Sequence, residues 1–311
     1  MRVLFMGTPD FAVPTLKALC DNGYEVIGAV TQPDKPKGRG HHMTPPPVKA
    51  FAIENNIPVY QPLTLKGEEF AAELHELDPE VIVVVAYGKI LPVNVLEYPK
   101  YKCINVHGSL LPEYRGAAPM QRAIIDGKRE TGITTMLMAA GLDTGDMLLK
   151  ETVEIREEDN FEDIHDRLSL VGAELLIKTL RGIEEGIIEP EVQDDSLATY
   201  AAKIEKADCE LDFSLDAKTL HDLIRGLSPI PLSFTHTPDG KLLKVYKARV
   251  CDADKVCSCE VGTVIEVGEE IKVACGKGIL SLLTVVPEGK GRMSAGDFVR
   301  GRKIAVGDVL R

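Results

Sequence analysis

The stretch "VIVVVAY", residues 81–87, carries an apolar or aromatic side chain at every position and no charge. A continuous apolar run of this length predicts a strand that is buried on both faces, as in the middle of a parallel sheet. Helical patterns alternate with other β-like runs around it, namely "RVLFMG" (2–7), "EVIGAVTQ" (25–32) and "KCINVH" (102–107). This alternation predicts an α/β fold with a doubly wound parallel sheet of the Rossmann-like type.

The pattern changes in the last third of the chain. An amphipathic helix is predicted over 161–185, and "GIIEPEVQDDSLATY" (186–200) indicates an extended linker. Short β-like runs punctuated by glycine follow a further helix near 215–226, at 241–250, 261–267, 270–275 and 278–286. They predict a small β-barrel that resembles an OB-fold. We therefore expect an α/β domain at 1–189, a linker at 190–205 and a barrel domain at 206–311.

Composition sets limits on the class of protein. No apolar run approaches the ~20 residues that a membrane-spanning helix needs. The seven cysteines include no CxxC pair, which favours reduced thiols in the cytoplasm and no metal site. We expect a cytoplasmic monomer with no membrane contact.

The net charge of −12 at first argues against a nucleic-acid partner, but the charge is unevenly distributed. Residues 206–311 hold 16 basic and 15 acidic residues, which leaves 20 and 33 for residues 1–205. Phosphate binding depends on local charge, so an RNA partner is neither excluded nor predicted by composition.

Two strand ends carry candidate motifs. "GTPDFA" (7–12) lies where a dinucleotide loop would, but Pro9 stands at the second glycine of GxGxxG, which argues against NAD.

Asn105 and His107 share one face at the end of a strand, where α/β sheets bind ligands, although such a pair can also simply satisfy loop amides. The later loop "GLDTGDM" (141–147) supplies a carboxylate. An amide, an imidazole and a carboxylate together can catalyse acyl transfer.

These residues resemble a known family, the folate-dependent formyltransferases. "NVHGSLLPEYRGAAP" (105–119) and "GLDTGDM" carry the resemblance. It continues along nearly the full chain in "TQPDKPKGRG" (31–40), "PPPVK" (45–49), "VVAYGKILP" (84–92), "ETGITTM" (130–136), "TYAAKI" (199–204), "RGLSPIP" (225–231) and "GRMSAGDF" (291–298). The resemblance implies formyl transfer from 10-formyltetrahydrofolate to the α-amino group of methionine on initiator methionyl-tRNA.

The same resemblance implies roles for individual residues. Asn105, His107 and Asp143, rather than Asp146, match the catalytic positions. The residues that match folate-contacting positions are Ser109, Leu110, Leu111, Pro112, Tyr87, Gly88 and Ile90. No metal is implied.

The segment "QPDKPKGRGHHMTPPPVK" (32–49) is basic, and its glycines and prolines predict a loop without regular structure. The resemblance implies that it enters the acceptor arm of the tRNA. The residues expected to contact tRNA are Lys35, Lys37 and Arg39 here, with Lys247 and Arg249 in the barrel. The alternatives are a solvated loop and a mixed barrel surface without a partner.

Two rival functions stay open at this point. One is a formyltransferase for a small amine, such as a sugar nucleotide or a purine precursor, against which the basic loop and the barrel argue. The other is a non-catalytic tRNA-binding protein, against which the intact set of Asn105, His107 and Asp143 argues.

Overall fold

The computed structural model describes residues 1–37, 42–301 and 303–311. The chain forms two compact units, which interleave along the sequence. The first comprises Met1–Gly116, Thr131–Val153 and His165–Tyr200, and the second comprises Ala117–Glu130, Glu154–Ile164 and Ala201–Arg311. The division of the chain at 189, 190–205 and 206 stays a prediction.

Seven strands of the N-terminal two thirds form one sheet. The strands up to residue 201 are β1 (Arg2–Gly7), β2 (Glu25–Val30), β3 (Lys35–Lys37), β4 (His42–Thr44), β5 (Val59–Tyr60), β6 (Val81–Val85), β7 (Cys103–His107), β8 (Arg115–Gly116), β9 (Glu130–Leu137), β10 (Met147–Glu154) and β11 (Tyr200–Ala201). The order in the large sheet is β10-β9-β7-β6-β1-β2-β5. Strands β1, β2, β5, β6 and β7 pair in parallel, and β9 joins β7 antiparallel. The predicted Rossmann-like α/β sheet is confirmed.

Strand β6 is the most deeply buried element of this sheet. All five of its residues are buried, because β1 and β7 flank it and both faces are covered. It ends at Val85, two residues before the predicted end, and Ala86 adopts a positive φ of 46° that turns the chain out of the sheet. Its last residues lie beside the candidate motif, since Val84 pairs with Asn105.

Eight α-helices are assigned within the described residues. They are α1 (Val13–Asp21), α2 (Pro47–Glu54), α3 (Glu68–Leu77), α4 (Val93–Leu96), α5 (Pro119–Ile125), α6 (Phe161–Glu184), α7 (Ala217–Gly226) and α8 (Ala295–Arg300). Helix α6 matches the amphipathic helix predicted over 161–185, and Leu168, Leu176 and Leu180 on its apolar face are fully buried. None of the helices in the described ranges is both long and apolar enough to cross a membrane.

The prediction that 32–49 lacks regular structure is wrong. Strands β3 and β4 pair antiparallel, with Pro36 opposite Met43, and helix α2 begins at Pro47. Prolines are compatible with both elements. In a two-stranded ribbon every second N–H points away from the partner strand, and the first turn of a helix does not use its N–H groups.

The second unit contains a six-stranded sheet of β12 (Ser233–His236), β13 (Leu242–Asp252), β14 (Val264–Val267), β15 (Ile271–Ala274), β16 (Ile279–Pro287) and β17 (Met293–Ser294). The order is β12-β13-β16-β15-β14, with β17 also on β16, and the pairs are antiparallel. Side chains from the sheet and from α7 and α8 form one core, in which Leu220, Val245 and Leu282 are fully buried. This confirms the predicted C-terminal domain of short β-strands, which form an antiparallel sheet, whereas its closure into an OB-like barrel stays a prediction.

Candidate active site

Strand β7 places Asn105 and His107 on one face at its carboxyl end. Asn105 lies between Val84 of β6 and Met136 of β9, and His107 pairs with Thr134. The Asn105 side chain is half-buried and makes no hydrogen bond to any residue that the structure describes. The side-chain amide of Asn105 therefore has a donor and an acceptor available to bind a ligand at the carboxyl end of β7.

The two ring nitrogens of His107 have different environments. The imidazole is 7% exposed, and its Nε2 lies 3.0 Å from the carbonyl oxygen of Tyr114. Because a carbonyl can only accept, Nε2 must carry a hydrogen and donate it. Nδ1 faces Oδ2 of Asp143 at 3.8 Å, which is an ion-pair distance but too long for a hydrogen bond. Nδ1 therefore keeps its bonding capacity beside a negative charge.

Asp143 lies in the loop between β9 and β10 and adopts a positive φ of 52°. Its Oδ2 accepts a hydrogen bond of 2.9 Å from the backbone N–H of Gly116. Gly116 has a φ of 120°, a conformation that glycine adopts readily and other residues do not. The turn after β7 thus aims a backbone donor at the carboxylate and fixes it beside the imidazole.

Three parts of this arrangement were not predicted from the sequence. They are the Tyr114 carbonyl, the Gly116 N–H and the side chain of Gln193, which contacts the Asp143 loop. The first two belong to "YRG" (114–116) inside the motif at residues 105–119. The glycine there was the only residue type that could have indicated an unusual backbone conformation. Gln193 lies in the segment predicted as a linker, and no local pattern marks it.

Of the four predicted folate positions after β7, Ser109 and Leu111 are buried. The Ser109 hydroxyl donates to the Glu113 carbonyl at 2.7 Å, and the Leu111 N–H donates to the Thr134 hydroxyl at 3.1 Å. Leu110 and Pro112 are half-buried. These bonds fix the turn that leaves β7.

The predicted folate positions after β6 differ strongly in exposure. Tyr87 is 2% exposed, its hydroxyl has no partner among the described residues, and burial raises its pKa to about 12. Gly88 is exposed with a φ of 83°, and Ile90 is 84% exposed. The Tyr87 carbonyl accepts hydrogen bonds from Thr8 and Gln32, which joins the ends of β1, β2 and β6.

A second polar cluster, here called the Asp34 network, lies at the start of the basic segment. Lys49 Nζ is 2.8 Å from both oxygens of Asp34 and 2.8 Å from Oε1 of Gln61. The Gln61 amide donates to Asp34 at 2.9 Å and to the Gln32 carbonyl at 2.8 Å. Lys49, followed by Gln61, holds the pKa of the Asp34 carboxyl below its ordinary value.

The predicted tRNA contacts are distributed over both units. Lys35 is exposed on β3, Lys37 ends that strand, and Arg39 lies outside the described residues. Lys247 is 3.2 Å from Glu158, and Arg249 binds both oxygens of Glu270 at 2.8 and 3.2 Å. Both of these cations of the second unit are therefore exposed and paired with an acid. Within the same described ranges, no group of three or more His, Cys, Asp or Glu side chains is placed to hold a metal ion.

Family models and named relatives match this chain along most of its length. A family model described as "Formyl transferase" matches residues 1–180, and one described as "Formyl transferase, C-terminal domain" matches residues 203–303. A protein of Geotalea daltonii named methionyl-tRNA formyltransferase is 48% identical over 100% of this chain and 98% of its own. The protein of that name from Clostridium novyi is 48% identical over 100% of both chains.

Solved structures share the fold at low identity. An N-formyltransferase from Helicobacter canadensis in complex with folinic acid and dTDP-3-aminofucose has a TM-score of 0.69 at 20% identity, over 90% of this chain and 98% of its own. The methionyl-tRNA formyltransferase from Clostridium thermocellum has a TM-score of 0.55 at 17% identity, over 80% of this chain and 93% of its own.

Proposed function

This chain belongs to the formyl transferase family, and we propose that it transfers the formyl group of 10-formyltetrahydrofolate to the α-amino group of methionine on initiator methionyl-tRNA. The substrate is inferred from relatives that match the chain from end to end and carry the name methionyl-tRNA formyltransferase. The observation that carries the chemistry is the set of Asn105, His107 and Asp143. The Asn105 amide and Nδ1 of His107 keep unused bonding capacity, and Nδ1 faces a fixed carboxylate.

Asn105 and His107 would stabilise the charge that develops during transfer. Attack of the neutral methionyl amine on the formyl carbon places a negative charge on the formyl oxygen. The Asn105 amide can donate a hydrogen bond to that oxygen, and so can a protonated Nδ1 of His107, because Nε2 is already bound to Tyr114. Both donors are held by the sheet before the substrate arrives, so little reorganisation accompanies the reaction.

Asp143 would support the positive imidazole and the movement of the proton. The attacking amine loses a proton as the new C–N bond forms, and N10 of the folate gains one as its bond to the formyl carbon breaks. The Asp143 carboxylate, held by the Gly116 N–H, faces Nδ1 and stabilises a proton there. His107 and Asp143 can then pass that proton between the two amines.

The folate would lie along the turns that follow β6 and β7. The proposed contacts are Ser109, Leu110, Leu111 and Pro112 after β7, and Tyr87, Gly88 and Ile90 after β6. The buried Tyr87 hydroxyl without a partner in the described chain and the exposed Ile90 fit a neighbouring ligand that is polar in part and apolar in part. Folate supplies the activated formyl group.

The tRNA would contact both units. We propose Lys35, Lys37 and Arg39 of the basic segment and Lys247 and Arg249 of the second unit as phosphate contacts. In this proposal residues 1–189 carry the catalysis and residues 206–311 bind tRNA, and the enzyme acts as a monomer in the cytoplasm, where charged tRNA is used.

The proposed function is tested by transfer of labelled formyl from 10-formyltetrahydrofolate to three acceptors. Initiator methionyl-tRNA is expected to be formylated, elongator methionyl-tRNA poorly so, and a dTDP-amino sugar not at all. Formylation of the sugar in preference to tRNA would replace the proposed substrate. Binding of tRNA without any formyl transfer would leave only a tRNA-binding protein.

A further inference from the structure

We propose that Gln193 is a positioning residue for the reaction, which acts by clamping the backbone of the loop that carries Asp143. The proposal rests on the proposed role of Asp143. The clamp consists of Gln193, the Arg115 side chain that holds it, and the two loop carbonyls that it binds.

The clamp holds the loop at two points on either side of Thr144. The Gln193 amide nitrogen donates to the carbonyl of Asp143 at 2.8 Å and to the carbonyl of Gly145 at 2.7 Å. Both hydrogens of that amide are therefore used, and both go to the backbone of the proposed catalytic loop. Two bonds from one rigid amide fix the direction of the peptide planes as well as their position.

The other end of the Gln193 amide is held equally firmly. Its Oε1 accepts a hydrogen bond of 2.9 Å from Nε of Arg115, and Nη2 of Arg115 pairs with Asp195 at 2.8 Å. These bonds determine which end of the amide faces the loop, because the guanidinium can only donate and the carbonyls can only accept. Arg115 precedes Gly116, whose N–H binds the Asp143 carboxylate. The backbone of Asp143, through Gln193, and its side chain are thus tied to the two adjacent residues of β8.

Burial makes these bonds selective for one loop conformation. Gln193 is 7% exposed, and Glu191, two residues earlier, forms two backbone hydrogen bonds of 2.8 Å with Met147 at the far end of the loop. Water has little access to the Gly145 carbonyl, whose bond to Gln193 is buried, so a shift of the loop leaves that carbonyl without a donor. Asp143 needs such support, because its positive φ is an uncommon conformation for a residue other than glycine.

The test variant is Gln193→Glu. It keeps an oxygen for Arg115 and replaces the amide that donates to the loop with a carboxylate oxygen that faces two carbonyls. We expect kcat/KM for formyl transfer to fall about 10- to 100-fold, since a displacement of 1 Å at a catalytic group can cost about 100-fold. Hydrogen exchange of the peptide that covers 139–147 is expected to become faster in the full-length variant, whereas exchange in α6 stays unchanged.

A matched control separates positioning from general destabilisation. Thr179 is buried in α6, bonds to Thr135 and the Leu175 carbonyl, and does not touch the loop. Thr179→Val also removes buried hydrogen bonds from the first unit. It is expected to lower the melting temperature and to leave kcat/KM within about threefold of the original chain, the scatter expected for a site that does not couple to the reaction.

The decisive readout is a double-mutant cycle with Asp143→Asn. If Gln193 acts through Asp143, Gln193→Glu will cost less than about threefold in the Asp143→Asn background, because the group that it positions is already disabled. An equal loss in both backgrounds, or unchanged activity and exchange in folded Gln193→Glu, would overturn the clamp. A wild-type chain that transfers no formyl group would instead overturn the proposed function, and the exchange measurement would still decide whether Gln193 holds the loop.

Discussion

Two carboxylates of the first unit, Asp34 and Asp143, lie in networks of similar composition but differ in what they leave unbound. Each has a basic side chain beside it and a glutamine nearby. Both oxygens of Asp34 lie 2.8 Å from Lys49, and Gln61 donates to one of them. Asp143 has one backbone hydrogen bond at Oδ2 and faces Nδ1 of His107 at 3.8 Å without a bond.

The difference separates a structural network from one that can do chemistry. The charge of Asp34 is neutralised at hydrogen-bond distance, so it has little capacity to stabilise a further charge. The charge of Asp143 is only partly satisfied, because the glutamine there binds the backbone of the loop and not the carboxylate. The remaining hydrogen-bonding capacity, rather than the types of residue present, distinguishes the two clusters.

The largest expected effect comes from removing one of the two proposed donors on β7, Asn105 or His107. We predict that Asn105→Ala or His107→Ala lowers kcat/KM by at least about 100- to 1,000-fold, the typical cost of losing one group that stabilises an oxyanion. The melting temperature of Asn105→Ala should change little, because its side chain makes no hydrogen bond in the described structure. Near-normal turnover in either folded variant would remove the proposed catalytic role.

A smaller effect is expected at the paired cations of the second unit, which resemble Asp34 in having their charge neutralised. Arg249→Ala removes a proposed phosphate contact and the ion pair with Glu270, whereas Glu270→Gln keeps the cation and frees it from that pair. The first variant should raise KM for tRNA several-fold and reduce the salt slope of tRNA binding by about 1. The second should strengthen binding. If both variants bind tRNA like the original chain, Arg249 does not contact tRNA.

A substitution in the Asp34 network should lower the stability of the fold and leave the rate of formyl transfer nearly unchanged. Gln61→Leu removes hydrogen bonds to Asp34, Lys49 and the Gln32 carbonyl, and should lower the free energy of unfolding by about 1–2 kcal/mol. Its kcat should stay within about threefold of the original value, as expected for a site that is not coupled to the reaction. Chemical denaturation and single-turnover formyl transfer measure the two quantities. A loss of kcat comparable to that of Gln193→Glu would contradict the distinction between the networks.

The smallest effect concerns His221 in α7, which is 8% exposed. Burial, above all, lowers the pKa of this imidazole from its ordinary value of 6.5, and Arg225 acts in the same direction against Asp222, Glu158 and Glu157. The unfolded chain therefore binds more protons than the folded chain as the pH falls below 6.5, and stability should decrease there. His221→Gln should flatten the fall in unfolding free energy between pH 7 and pH 5. Parallel curves for the two chains would contradict this.

The sequence predicts those helices and strands that a pattern of neighbouring residues marks. The apolar run of β6 reports burial on both faces, and the alternation in β7 places Asn105 and His107 on one side. The hairpin of β3 and β4, which contains Pro36, has no such local pattern. Proline lacks an N–H, and whether a strand accommodates it depends on how that backbone position faces the partner strand, which the sequence does not show. The prediction of an irregular loop failed for that reason.

The parts of the site that were missed act through the backbone or over a long distance in sequence. The Tyr114 carbonyl and the Gly116 N–H depend on the path of the chain and not on the side chain present. Gln193 binds a loop 50 residues earlier in the chain. From the sequence alone, a polar residue in an acidic, extended segment cannot be assigned as solvated or buried. Burial, which composition does not reveal, makes it part of the site.

The contrast between the two carboxylates is tested most directly by one paired measurement. Transfer of labelled formyl from 10-formyltetrahydrofolate to initiator methionyl-tRNA is compared in Asp143→Asn and Asp34→Asn, each checked for folding. We predict that Asp143→Asn loses at least about 100-fold in kcat, as expected for a group that acts only in the transition state, while Asp34→Asn stays within about threefold. Equal losses in the two folded variants, or a larger loss in Asp34→Asn, would contradict the account.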